Sequence, residues 1–183
     1  GAIFKSEKLE WVNREHIKRL PEEDQLSLLR KALPESFVSS PGFSEDLFRH
    51  IAPVILERIT HFGEVRAMID AGELSYYTTR PIFPKESLFW KEERDEKALT
   101  ERLSHIRTIL LDLPEQAYTP QELKNALWTY AEEKGRGSVL WPLRFALSGK
   151  ERSPDPFQLA AILGKGETIA RIDSALLLFH EAP

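Results

Sequence analysis

Apolar residues recur at intervals of three and four along almost the whole chain, and twelve prolines cut that rhythm into short lengths. Spacing near 3.6 gathers such residues on one face of a helix, so the pattern predicts an all-α fold built from many brief helices. Leu9, Val12, His16, Ile17 and Leu20 mark a first helix over 7–19. Pro21 ends it and opens a second that carries Leu26, Leu29 and Leu33. Ser44 is placed to cap a helix whose buried stripe is Leu47, Ile51, Ile55 and Ile59. Pro53 falls inside that stripe and predicts a kink or a break near Ala52. A further helix over 62–71 is expected to end at Gly72, where a left-handed cap suits glycine.

The only strand-like stretch is 75–84, and Pro81 and Pro84 make an ordered loop the better reading, with its aromatics expected to plug a core between lobes rather than stack on bases. A long helix over 92–113 carries Leu99, Leu103, Ile106 and Leu110 on one side, and Pro114 closes it. Thr119–Pro120–Gln121–Glu122 is a capping box that opens a helix running to Gly135. Three short helices follow, over 138–147, 156–163 and 167–180, the second ending at Gly164. With no internal repeat and no disordered linker, the chain reads as two compact helical lobes, residues 1–84 and 85–183, arranged as a two-lobed bundle or cage.

Composition narrows the chemistry. The absence of cysteine excludes disulfides, a cysteine nucleophile and thiolate metal sites. The histidines (His16, His50, His61, His105, His180) form neither a His–x–x–x–His pair nor an HExxH string, so no metal site is expected. Phosphate-binding glycine loops are missing, as is a Gly–x–Ser–x–Gly elbow, and carboxylate pairs fall on exposed helical faces. Catalysis by this chain alone is therefore not expected. No apolar run approaches the ~20 residues that cross a bilayer. The opening Gly1–Ala2–Ile3–Phe4–Lys5 is too short and too soon charged for a signal peptide. A start at Gly1 without a methionine reads either as a scar of cloning or as an excised fragment, and the expected location is the cytoplasm.

The net charge is −4, yet Lys134, Arg136, Arg144, Lys150, Arg152, Lys165 and Arg171 form a basic excess late in the chain. Nucleic-acid binding depends on such a local field more than on the total. A solvated helix face produces the same pattern, so charge alone leaves the partner open.

Two segments carry a family likeness. Lys8–Leu9–Glu10–Trp11–Val12–Asn13, preceded by Gly1–Ala2–Ile3–Phe4, resembles the K-L-x-W-x-N stretch that follows the KMSKS loop of bacterial-type glutamyl-tRNA synthetases. The run from Gly135 through Trp141–Pro142–Leu143–Arg144–Phe145–Ala146–Leu147–Ser148–Gly149 resembles that family's G-x-x-x-x-P-L-R-x-A-L-T-G signature. It continues through Ser153–Pro154 to Leu163–Gly164–Lys165, similar to the family's S-P and L-G-K. Both occur in order across nearly the whole chain. The resemblance implies a C-terminal anticodon-binding region that holds the anticodon stem-loop of tRNA(Glu). The catalytic half of the same polypeptide, with its HIGH and KMSKS signatures, would lie upstream and bind ATP with Mg. This chain would hold no cofactor and be monomeric.

By the same resemblance, Arg58 of the Glu57–Arg58 pair is similar to the arginine that reads the third anticodon base. Arg144 looks like an anticodon-loop contact, and Ser153 and Pro154, with Pro156 nearby, resemble the turn that meets the middle and first bases. Ser148 replaces the usual threonine, and Pro156 stands where an aliphatic residue is common. An arginine suits base reading because its planar fork offers several donors and a face that can stack. A turn ahead of a helix also exposes backbone amides at a positive dipole end. Structural readings stay open beside these: Arg58 as a surface ion pair, and Arg144 as a tie between helices. Trp11, Trp128 and Trp141 read as core anchors and Trp90 as exposed. The rival functions are a helical protein-interaction module with a basic C-terminal face, and an enzyme with an unrecognised site.

Overall fold

The computed structural model describes the backbone of residues 6–180 and side chains from Lys8 onward. The Gly1–Phe4 part of the first family segment lies outside the described residues. Every regular element described is helical, and the chain divides into two compact units, Gly1–Thr79 and Arg80–Pro183. No helix among the described residues is long and apolar enough to cross a membrane.

The first unit contains α1 (Ser6–Arg19), α2 (Glu22–Ala32), α3 (Glu35–Val38), α4 (Glu45–Arg58), α5 (Glu64–Asp70) and α6 (Ser75–Thr78). Its core gathers Leu29, Phe37, Phe48, Ile51, Ile55, Ile59 and Val65, all buried. The Ser44 hydroxyl accepts from the Leu47 amide at 3.0 Å and opens α4 as the sequence implies. Pro53 does not break that helix. Its ring and Arg49, whose carbonyl loses an amide partner to it, both face solvent, where water can satisfy the freed oxygen. The expected stripe of α1 also fails: only Ile17 is buried, and Trp11, read as a core anchor, is 62% exposed. Helical spacing predicts which residues share a face, not whether a neighbour covers that face. The strand-like stretch begins as α6, with Tyr76 and Tyr77 buried as core aromatics.

The second unit packs α7 (Glu96–Asp112), α8 (Pro120–Lys134), α9 (Arg136–Ser148) and α10 (Pro156–Leu177), with short 3-10 turns at Lys85–Leu88 and Glu115–Ala117. Leu99, Leu103, Ile106 and Leu110 of α7 are all fully buried, as their spacing requires. Each contributes roughly 1.5–3 kcal/mol relative to exposure. α7 starts later than its apolar pattern suggests because the Asp95 carboxylate caps the Ala98 amide at 3.0 Å. The Thr119 hydroxyl accepts from the Glu122 amide at 3.3 Å, forming the first half of the capping box. α10 is interrupted at Gly164, whose φ of 76° and ψ of 170° are not helical, where the sequence places a helix end.

The segment entering this unit is fastened to α9 by aromatic rings. Trp90 lies 5.3 Å from Trp141, Trp141 lies 5.6 Å from Phe145, and Phe145 meets Phe83 edge-on at 5.6 Å. Trp141 Nε1 also donates to the Ser87 carbonyl at 3.0 Å. Trp90, expected to be exposed, is half-buried because the missing side chain of Gly137 leaves room for its ring.

Candidate nucleic-acid interface

In the second unit Ser153 and Pro154 lie on the turn between α9 and α10, Pro156 opens α10, and Arg144 stands one helical turn before the end of α9. α9 ends where Gly149 takes a left-handed φ of 63°, and its amide returns to the Phe145 carbonyl at 2.7 Å. A Cβ there would stand 2.6 Å from Cβ of Pro81, so conformation and space both demand glycine. Buried Ser148 ties the turn together: its hydroxyl donates to the Arg144 carbonyl at 2.8 Å and accepts from the Lys150 amide at 3.2 Å. The hydroxyl shared by serine and threonine is the part that this geometry uses.

Lys150 and Arg152 are exposed on the turn, while Ser153 and Pro154 are half-buried. Ser153 Oγ donates to the Pro154 carbonyl at 3.2 Å. Pro156 is buried as the first residue of α10. Arg144 is also half-buried, and its Nε is shielded from solvent without a hydrogen-bond partner.

The backbone amides expected to be open at the start of α10 are occupied. Asp155 Oδ1 accepts from the Phe157 amide at 2.9 Å and from the Gln158 amide at 3.0 Å. A capping carboxylate satisfies the donors that an anion would otherwise use. An aspartate directly before a helix-opening proline, as Asp155 stands before Pro156, is itself a cap signal legible in sequence.

The residues of the basic excess differ in their surroundings. Arg171 is 3% exposed; its Nε donates to Glu167 at 2.8 Å and its Nη1 to the Leu147 carbonyl. Lys165 donates to the Leu113 carbonyl at 2.7 Å. Arg136 pairs with Glu132 at 2.6 Å and lies 4.5 Å from the Trp128 ring. Lys150 and Arg152 are thus the cations that the turn itself carries into solvent.

Arg58 belongs to the first unit, as the last residue of α4. Its side chain is 42% exposed and pairs with Glu73, the surface ion pair that the sequence left open as an alternative. Sequence reading missed Glu73 because the partner lies fifteen residues away, beyond any helical spacing.

These features define a helical module with an exposed basic turn, and the chain belongs to the anticodon binding domain family, whose model matches residues 26–176. Among similar proteins is a glutamate–tRNA ligase from Anaeromyxobacter sp. (strain K), 30% identical over 99% of this chain and 36% of its own length. The glutamate–tRNA ligase of Clostridium kluyveri is 31% identical over 94% of this chain and 34% of its length. A crystal structure of a glutamate tRNA ligase from Elizabethkingia meningosepticum, in complex with its amino acid, superposes with a TM-score of 0.70 at 26% identity. That match covers 97% of this chain and 33% of the other. The chain thus spans about a third of the length of these relatives.

Proposed function

We propose that this chain is the tRNA-selecting end of a glutamate–tRNA ligase. It would hold the anticodon stem-loop of tRNA(Glu) while a catalytic half of the same polypeptide, using ATP with Mg, joins glutamate to the far end. The observation that carries this reading is the alignment with glutamate–tRNA ligases over nearly all of the chain. On this reading the chain holds no cofactor, acts as a monomer with respect to itself, and works in the cytoplasm.

In the proposed mechanism, splayed anticodon bases are read by side chains at two places. Arg58 contacts the third base with the free edge of its guanidinium. Arg144, half-buried in α9, meets the anticodon loop with its guanidinium, and Ser153 and Pro154 meet the middle and first bases. The burial of Pro156 favours a part in setting the turn over a direct base contact. Lys150 and Arg152 supply the positive field that draws the phosphate backbone. Single-stranded loop bases are the usual target of sequence-specific RNA recognition, since their edges are free to be read.

Titration with tRNA(Glu), the same tRNA carrying a changed anticodon, and heparin tests the reading. Anticodon-dependent affinity is expected. Equal weak binding to all three would overturn it in favour of an interaction module that binds acidic partners.

A further inference from the structure

Arg58 does not enter solvent as a loose cation. Its Nη2 donates to Glu73 Oε2, and each side chain of the pair is 42% exposed. Glu73 is held by its own backbone. Gly72 takes a left-handed φ of 71° just after α5, its amide bonds the Ile69 carbonyl at 2.8 Å, and the Glu73 amide bonds the Met68 carbonyl at 3.0 Å. This double closure is a Schellman cap, which fixes the chain direction immediately after a helix. The buried rings of Tyr76 and Tyr77, which follow Glu73 by three and four residues, lie 4.6 Å apart. The Glu73 side chain therefore departs from a backbone corner fixed by the cap and meets the Arg58 guanidinium there.

An exposed ion pair contributes little to fold stability. Its effect on recognition is larger. A guanidinium with one edge taken keeps its remaining donors in a defined plane, as reading a base edge requires. The adjacent negative charge also repels a phosphate that would otherwise settle on the same arginine.

Resting on the assignment of Arg58 as a base-contacting residue, we infer that Glu73 is a positioning residue for anticodon discrimination. Its carboxylate orients the Arg58 guanidinium and turns that side chain from a general phosphate ligand into a reader of one base.

The experiment uses the 183-residue chain and synthetic anticodon stem-loops that differ only in the third anticodon nucleotide. Dissociation constants are measured by fluorescence anisotropy at fixed salt, alongside thermal unfolding. Glu73→Gln, which keeps the side chain's size, and Glu73→Ala are expected to shrink the preference for the favoured nucleotide by about tenfold, within the range of a base-edge contact. Affinity for the disfavoured loops should hold or rise, and Glu73→Asp should recover part of the preference. A merely structural role would weaken all loops together. Full preference retained in both Glu73 variants, with preference lost in Arg58→Gln, overturns the role of Glu73 alone. A wild-type chain with no third-nucleotide preference overturns the assignment of Arg58, and this inference with it.

Discussion

Arg171, buried in α10, donates through Nη1 to the carbonyl oxygen of Leu147, so a side chain of one helix holds the last turn of another. Its Nε meanwhile binds Glu167, which also accepts from Arg80 Nη2 at 2.8 Å. The C-terminal end of α9, from which the basic turn departs, is thereby fixed from within. Replacing Arg171 by methionine strips Leu147 and Glu167 of a partner and is expected to destabilise the chain by about 3 kcal/mol. A urea titration would show a lower midpoint at unchanged slope; a midpoint within error of wild type would contradict this account.

Glu167 gives the same cluster a pH dependence. Burial pushes its carboxyl up, but the bonds from Arg80 and Arg171 more than offset this, leaving it below the ordinary value of 4.5. A carboxylate depressed in the folded state stabilises above its unfolded pKa, and that contribution is lost as pH falls through the folded one. Glu167→Gln should therefore be less stable than wild type at neutral pH, with the difference closing below about pH 4.5. Unfolding midpoints across pH 3–7 check it, on the order of one point per half unit.

Arg58→Gln should reduce discrimination at the third anticodon base by roughly 1–3 kcal/mol, the range of a good base-edge contact. Because the Glu73 pair is solvent-exposed, stability should change by less than about 1 kcal/mol. Equal loss of affinity for cognate and altered stem-loops would remove base reading from this residue.

Lys150→Ala and Arg152→Ala should weaken RNA binding to a similar extent whatever the anticodon. If each cation meets one phosphate, the slope of log affinity against log salt should fall by about 0.7 per substitution. A sequence-dependent loss with an unchanged salt slope would mark these side chains as base contacts instead.

Much of this architecture was readable along the chain. Leu99, Leu103, Ile106 and Leu110 occupy successive turns of one helix, and burying that face is favourable wherever the helix packs. Ser44 and Thr119 were equally legible, since a cap acts on amides only three residues ahead. The turn between α9 and α10 could be placed from Gly149 and Pro156, because a left-handed glycine and a helix-opening proline are local requirements.

Other features depended on chain segments far apart. Trp11 and Trp90 have similar side chains, yet Trp11 stands in solvent while Trp90 is wedged beside Trp141 over Gly137. Arg171 and Lys150 carry the same charge, but α10 buries the first against the end of α9 and the second remains on an exposed turn. Local rules determine how a backbone coils and which residues share a face, because they act within one helical turn. Whether that face is covered, and whether a cation is free for RNA or already holding a carbonyl, depends on contacts across dozens of residues, which only the packed fold determines.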